Sequence, residues 1–403
     1  MNKVGQIKNK NILFLQGPMG TFFKELDLHF RKYGANTFKI TLNTSDWFFS
    51  NRDNTYPFKG KQEEWKSFIE DFFKKKEIDK IFLFGDCRFY QSHAINIAKK
   101  LEIDIFVFEE GYIRPDFITM ERYGVNNFSK ISRDATFYHN LDKKYLDSPD
   151  TLQTYPKYIR MGFSSTIYYL IAYFLKKQYP HYIHHREIDI FKEFLWLFKN
   201  GFRKVKYKFT EQNLIKKITI ELSKKYYFVP LQTYNDFQLI EHSRFDSVEE
   251  FIEEVLISFA NNAPKEKFLI IKHHPVDRGR KNYEVFIHEL STKLSIENRV
   301  ITVHDLHLPT CLKNAIGTIT INSTVGISSL FHQIPTITLG DAIYDIAGLT
   351  SKNIMLDNFW YNYKKPDNIL FKKFRNYLIE TTQLNGSFYG KFPIEFSKSE
   401  MYS

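Results

Sequence analysis

Cysteine is scarce: Cys87 and Cys311 are the two among 403 residues, and they lie far apart. This excludes a disulfide framework and fits a reducing compartment. Long apolar runs are also missing. The most apolar stretch, 161–175 (MGFSSTIYYLIAYFL), is about 15 residues, where a membrane-spanning helix needs about 20. The opening Met1-Asn2-Lys3-Val4-Gly5-Gln6 leads into no apolar segment with a small-residue cleavage site. No secretory signal is read, and the chain is expected in the cytoplasm. Recognition-helix, zinc-finger and RNA-stacking signatures are absent, so nucleic acid is not an expected partner. Neither cysteine lies near the His273-His274 pair, so no metal site is expected.

What is present is a basic, aromatic-rich globular chain. The formal charge is +11, hydrophobic residues make up 43%, and there are 40 Phe and 25 Tyr. A basic surplus favours anionic partners: phosphorylated or carboxylated substrates, or anionic lipid. The length suits two domains. In the first third, apolar strands alternate with helices. They include Ile12–Gln16, Thr37–Leu42, Lys80–Phe84 and Asp104–Phe108, with Phe23, Leu26, Phe30 and Tyr33 at helical spacing. The pattern resumes with strands at Tyr227–Leu231, Phe268–Ile271, Arg299–Val303, Gly317–Ile321 and Thr336–Leu339, and a helix face from Val248 to Phe259. Strands separated by helices predict two Rossmann-like, doubly wound α/β domains facing a cleft. The expected divisions are an acceptor-side domain at 1–155, a helical linker at 156–215 and a donor domain at 216–403. Within the linker, 161–175 is flanked by Arg160 and Lys176-Lys177, and reads either as an interfacial helix or as a buried one.

Ligands of such sheets bind beyond the carboxyl ends of the strands. Gln16-Gly17-Pro18-Met19-Gly20 follows the first strand, where glycines admit a ligand or simply make a turn. Asp86 and Arg88 end another strand, and Glu109-Glu110-Gly111-Tyr112 ends a third. Adjacent, partly buried carboxylates raise each other's pKa and suit general acid–base work, or else form a hydrogen-bonded strand end. Gln232 and Asp236 follow the strand at 227–231; Asp236 is a candidate nucleophile or a plain helix cap. Lys272-His273-His274-Pro275 and Asn322-Ser323-Thr324-Val325-Gly326 offer cations, hydroxyls and N–H groups to a nucleotide phosphate.

Taken in order, several segments resemble the bacterial capsule polysaccharide biosynthesis family. They are Gln16-Gly17-Pro18, Phe84-Gly85-Asp86-Cys87-Arg88, Glu109-Glu110-Gly111-Tyr112, Val229-Pro230-Leu231-Gln232 with Asp236, Lys272-His273-His274-Pro275, Ile321 through Gly326 and Gly348-Leu349-Thr350. The match is closest to its single-module β-Kdo transferases, the KpsS/LipB type, and spans nearly the whole chain. It also takes in His184-His185-Arg186 and the closing Leu384 to Tyr389.

The resemblance implies a GT-B fold and a retaining, metal-independent transfer of β-Kdo from CMP-Kdo to a phosphatidylglycerol-type lipid, with no cofactor. It implies a covalent sugar adduct on Asp236, proton transfer by Glu110 or Glu109, and CMP binding by His274-Pro275 and Ser323-Thr324. Work at the inner face of the cytoplasmic membrane, beside other capsule assembly proteins, follows from the same likeness. The alternatives are a CMP-dependent transferase for another sugar or acceptor, and a non-catalytic assembly or export factor.

Overall fold

A computed structural model describes residues 3–154, 158–184 and 190–397. The chain divides into two compact units. One comprises Met1–Lys130, Ser148–Ile190 and Asn376–Ser403, and the other Ile131–Asp147 and Phe191–Arg375.

The first unit begins with strands β1 (Asn11–Phe14), β2 (Asn36–Thr41), β3 (Thr55–Pro57), β4 (Lys80–Phe84), β5 (Asp104–Glu110) and β6 (Phe117–Arg122). The second holds β7 (Tyr226–Pro230), β8 (Phe268–Lys272), β9 (Val300–Val303), β10 (Gly317–Thr320) and β11 (Thr336–Thr338), and β12 (Gln383–Asn385) closes the series. The second sheet, ordered β11-β10-β7-β8-β9, is parallel throughout. The first, ordered β12-β6-β5-β4-β1-β2-β3, is parallel from β5 to β3, whereas β6 and β12 run antiparallel. The expected parallel α/β architecture is therefore present in both units, with an antiparallel edge on the first.

Both sheets are covered on both faces, because strand residues alternate sides. In β7, Tyr227 and Val229 join one core with the Val248–Asn262 helix, while Tyr226 and Phe228 join the opposite core with Cys311 and Leu312. In the first sheet, Leu13, Ile81, Ile105 and Val107 face one way and Phe14, Phe82, Phe106 and Phe108 the other. Much of the phenylalanine surplus goes here: Phe82 and Phe106 stack with centroids 4.7 Å apart, and Phe14 packs on Phe30 and Phe82.

The expected divisions shift in three places. The end of the chain leaves the second unit, because β12 pairs with β6 and Asn385 Nδ2 bonds the carbonyls of Asp116 and Leu152. Residues 131–147 join the second unit, where Lys373 donates to the carbonyls of His139 and Leu141. The 156–215 stretch splits. Its Tyr158–Phe174 helix belongs to the first unit, where Tyr168 donates to Asp46 at 2.8 Å and its carbonyl accepts from Ser45. Its Ile190–Thr210 helix lies, beyond Ile190, in the second. On 161–175, Tyr168 is buried, whereas Phe163 and Phe174 are exposed. His185 and Arg186 lie outside the described residues. Among the described residues, no helix is long and apolar enough to cross a membrane.

Candidate functional site

Three loops of the second unit meet at the carboxyl ends of adjacent parallel strands, β10, β7 and β8. Gln232, buried just beyond β7, joins two of them. Its amide nitrogen donates to Asp236 Oδ2 at 3.1 Å and to Asn322 Oδ1 at 3.0 Å, and its oxygen accepts the Asn322 N–H. The third loop, after β8, is tied in by Asp277, whose Oδ2 accepts the Tyr234 N–H at 2.9 Å. Asp236, Asn322 and the His274 turn therefore form one connected surface within this unit. Asp236 also precedes the Phe237–His242 helix, and its carbonyl accepts from Leu239. The helix-cap reading describes its backbone, while its carboxylate is held by Gln232.

The loop after β8 separates into exposed and internal groups. His274 is half-buried and caps the Pro275–Gly279 turn, with Nδ1 accepting from Val276 N. In the neutral ring, that bond puts the hydrogen on Nε2, which makes Nε2 a donor. Pro275 is exposed at the first position of the turn. His273 does not fit the expected phosphate contact. It is buried against His304 and Tyr283, and burial pushes its imidazole down to about 3, so it is neutral. Lys272 is likewise internal: its ammonium donates to the His304 carbonyl, and burial lowers its pKa. Of the Lys272-His273-His274 run, two side chains thus turn into the core, and His274 is the one left half-buried at the turn.

After β10, Ser323 Oγ accepts from Val325 N, and the Ser323 carbonyl accepts from Tyr344 Oη at 2.5 Å. Thr324 is half-buried at the start of the Val325–Phe331 helix. Gly326 serves packing rather than a ligand, since a Cβ there would sit 2.2 Å from Tyr344 Oη.

In the first unit, Glu109 and Glu110 end β5 and point to opposite faces of the strand. Glu109 is half-buried, and its Oε1 accepts the Glu110 N–H. Burial raises its pKa to about 7. The charges of Glu110 and Asp86 act in the same direction, while the Glu110 N–H and Arg88 oppose. Glu110 is exposed and lines a cavity of about 90 Å³ with Arg114, Met161, Phe388 and Tyr389. The two carboxyls therefore face different surroundings, and Glu109 is poised to exchange a proton near neutrality.

The other first-unit candidates have contacts within the fold. Gln16 is buried and donates to Asp46, Tyr168 and Tyr182. A Cβ on Gly17 would strike the Phe23 ring at 2.5 Å, and Gly20 has φ +146°. Asp86 is buried and accepts the Val125 N–H at 2.8 Å. Buried Tyr112 donates to Glu121, and Arg88 lies over the Phe84 ring.

Several participants escaped the sequence reading. Glu211 accepts the N–H groups of His304 and Asp305, and Tyr207 stacks on His304 at 3.8 Å. Glu121, its pKa raised by burial to about 7, holds Tyr112 and Ser129. Nothing in the local sequence marks Glu211 and Tyr207, whose partners are 93 to 97 residues away. Arg114, beside Glu110 in the cavity, could have been found as a cation following the Glu-Glu-Gly motif.

Comparison with known proteins follows this geometry. Residues 79–389 match the family described as capsule polysaccharide biosynthesis protein. The chain is 37% identical to the capsule polysaccharide export protein KpsS of Escherichia coli, covering 95% of this chain and 98% of that one. It is 35% identical to the capsule polysaccharide modification protein LipB of Neisseria meningitidis serogroup B, covering 95% and 92%. A solved structure of Thermosulfurimonas dismutans KpsC, a β-Kdo 2,7 transferase, aligns with a TM-score of 0.41 at 12% identity, covering 91% and 89%. On the extent of these sequence matches, the chain belongs to the capsule polysaccharide biosynthesis protein family.

Proposed function

We propose that this chain is a retaining glycosyltransferase that moves β-Kdo from CMP-Kdo to a phosphatidylglycerol-type lipid, starting the linker of a capsule polysaccharide at the inner face of the cytoplasmic membrane. The observation that carries the reading is the Gln232 amide, which holds the Asp236 carboxylate beside the Asn322 loop at the carboxyl ends of three parallel strands. A carboxylate so held, within the loops expected to bind nucleotide, suits attack on an anomeric carbon.

In the first step, an Asp236 oxygen bonds to the anomeric carbon as the C–O bond to phosphate breaks, and CMP departs with the electron pair. The Nε2–H of His274 and the hydroxyls of Ser323 and Thr324 are the donors assigned to the leaving phosphate. In the second step, the acceptor hydroxyl attacks the same carbon and gives up its proton to a base, and Asp236 leaves as carboxylate. Two inversions give retention. Burial places the Glu109 carboxyl near the working pH, as a general base requires. The names of the relatives, concerned with capsule polysaccharide export and modification, accord with a step that attaches sugar to a lipid anchor.

The direct test incubates the purified protein with CMP-Kdo and a phosphatidylglycerol analogue and seeks lipid heavier by one Kdo. Release of CMP without a glycosylated lipid would point to another acceptor. Inertness with several CMP-sugars and acceptors would favour a non-catalytic assembly factor.

A further inference from the structure

The Ile190–Thr210 helix has two opposed faces. Its inner face docks on the second unit at a 3–4 spacing. Glu193 pairs with Arg280 at 2.6 Å, and the Trp196 carbonyl lies where a Cβ on Gly279 would come within 2.2 Å. Asn200 accepts from Arg278, Arg203 donates to the Arg278 carbonyl, and Tyr207 stacks on His304. The other face repeats the same spacing with Leu195, Phe198, Phe202, Val205 and Phe209, which are 57–79% exposed. Lys192, Lys199 and Lys206, all exposed, run along one border of this stripe at seven-residue intervals, and Lys204 and Lys208 lie on the other side.

We infer that this outer face docks on an anionic lipid bilayer, with the stripe sunk to the headgroup–acyl boundary and the lysines on lipid phosphates. An apolar stripe bordered by lysine is the pattern of a helix lying in the interface. A second copy of the chain fits poorly. Glu193 is the one acidic residue of the helix and is taken by Arg280, so paired helices would set lysine against lysine. The inference rests on the lipid-acceptor reading above and adds the element that meets the membrane. Because the inner face grips Arg278 and Arg280, docking would hold the His274 turn at a fixed distance from the lipid surface.

The test is sedimentation of the full chain with phosphatidylcholine vesicles, with and without phosphatidylserine, no sugar donor being present. Phosphatidylserine is not the proposed acceptor, so this readout is independent of transfer. Wild type is expected to bind the anionic vesicles, weakly at high salt, and not the neutral ones. The Phe198→Ser, Phe202→Ser double variant and the Lys199→Glu, Lys206→Glu double variant should each lose about tenfold or more in affinity, with circular dichroism unchanged. Binding equal to wild type in both variants would overturn the inference. So would loss of binding only in Phe163→Ser, on the Tyr158–Phe174 helix, or a wild-type dimer that Phe198→Ser dissociates.

Discussion

Gln232 donates from its side-chain amide to the Asp236 carboxylate across 3.1 Å. Its second hydrogen goes to Asn322, and its oxygen receives the Asn322 N–H, so the amide has no rotational freedom left. The direction of the Asp236 carboxylate is thus fixed from the β10 loop, about 90 residues away in sequence.

Replacing Gln232 by Ala should therefore act on the chemical step. We expect kcat to fall about 10²-fold, because a misplacement near 1 Å costs that much, with the KM for CMP-Kdo nearly unchanged. Steady-state kinetics would show the split. A rise in KM alone would make Gln232 a binding residue.

Glu109 predicts a pH profile. A base must be ionised to take the acceptor proton, so kcat/KM should rise with pH through about 7, where burial holds this carboxyl. Glu109→Gln should remove that limb and lower the rate about 10²–10⁴-fold. If the limb survives Glu109→Gln and vanishes in Glu110→Gln, the assignment reverses. Stability follows the same shift. The native state keeps the proton to about 7, whereas the unfolded chain releases it near 4.5, so Glu109 and Glu121 both favour folding least above pH 7. Stability in Glu109→Gln should therefore decline less between those values, which urea melts across pH would measure.

Tyr168 sits in the apolar stretch that reads, by sequence, as a possible membrane contact, yet it is 4% exposed and serves Asn43, Gln16 and Asp46. Tyr168→Phe should cost roughly 1–3 kcal/mol by leaving those groups short of a partner, seen as a lower urea midpoint, with vesicle binding unaffected. An unshifted midpoint would show that the network contributes nothing to stability.

Gly326→Ala should destabilise by about 1–3 kcal/mol, the usual cost of overpacking, because the new methyl meets Tyr344. Tyr344 holds the Ser323 carbonyl, so CMP affinity should fall with stability. Calorimetry and urea melts on the same variant check both. Full stability would mean that Tyr344 swings away freely.

Parallel strands buried on both faces are short apolar runs, which is why β1, β4, β5, β7, β8 and β10 are legible to within two residues at either end. β6 and β12 are not. Gln383–Asn385 is polar and three residues long, and is a strand only because β6 offers it an edge. The same distinction governs the site. Asp236, His274 and Ser323 follow strands, so position singles them out as candidates. His273 and Lys272 share that position, but their side chains turn inward, and adjacency in sequence does not reveal the side a chain faces after a strand ends. Gly17 and Gly326 read as ligand glycines, whereas the Phe23 and Tyr344 rings that exclude a Cβ come from elsewhere in the fold.

Retention by way of Asp236 requires a covalent bond between the sugar and that carboxylate. Intact-protein mass spectrometry after brief mixing with CMP-Kdo, without acceptor, tests it most directly. A protein heavier by one Kdo residue is expected, with the added mass on the peptide containing Asp236, and no adduct or turnover in Asp236→Ala although that variant still binds CMP. Turnover at the wild-type rate in Asp236→Ala, or an adduct on another residue, would contradict it.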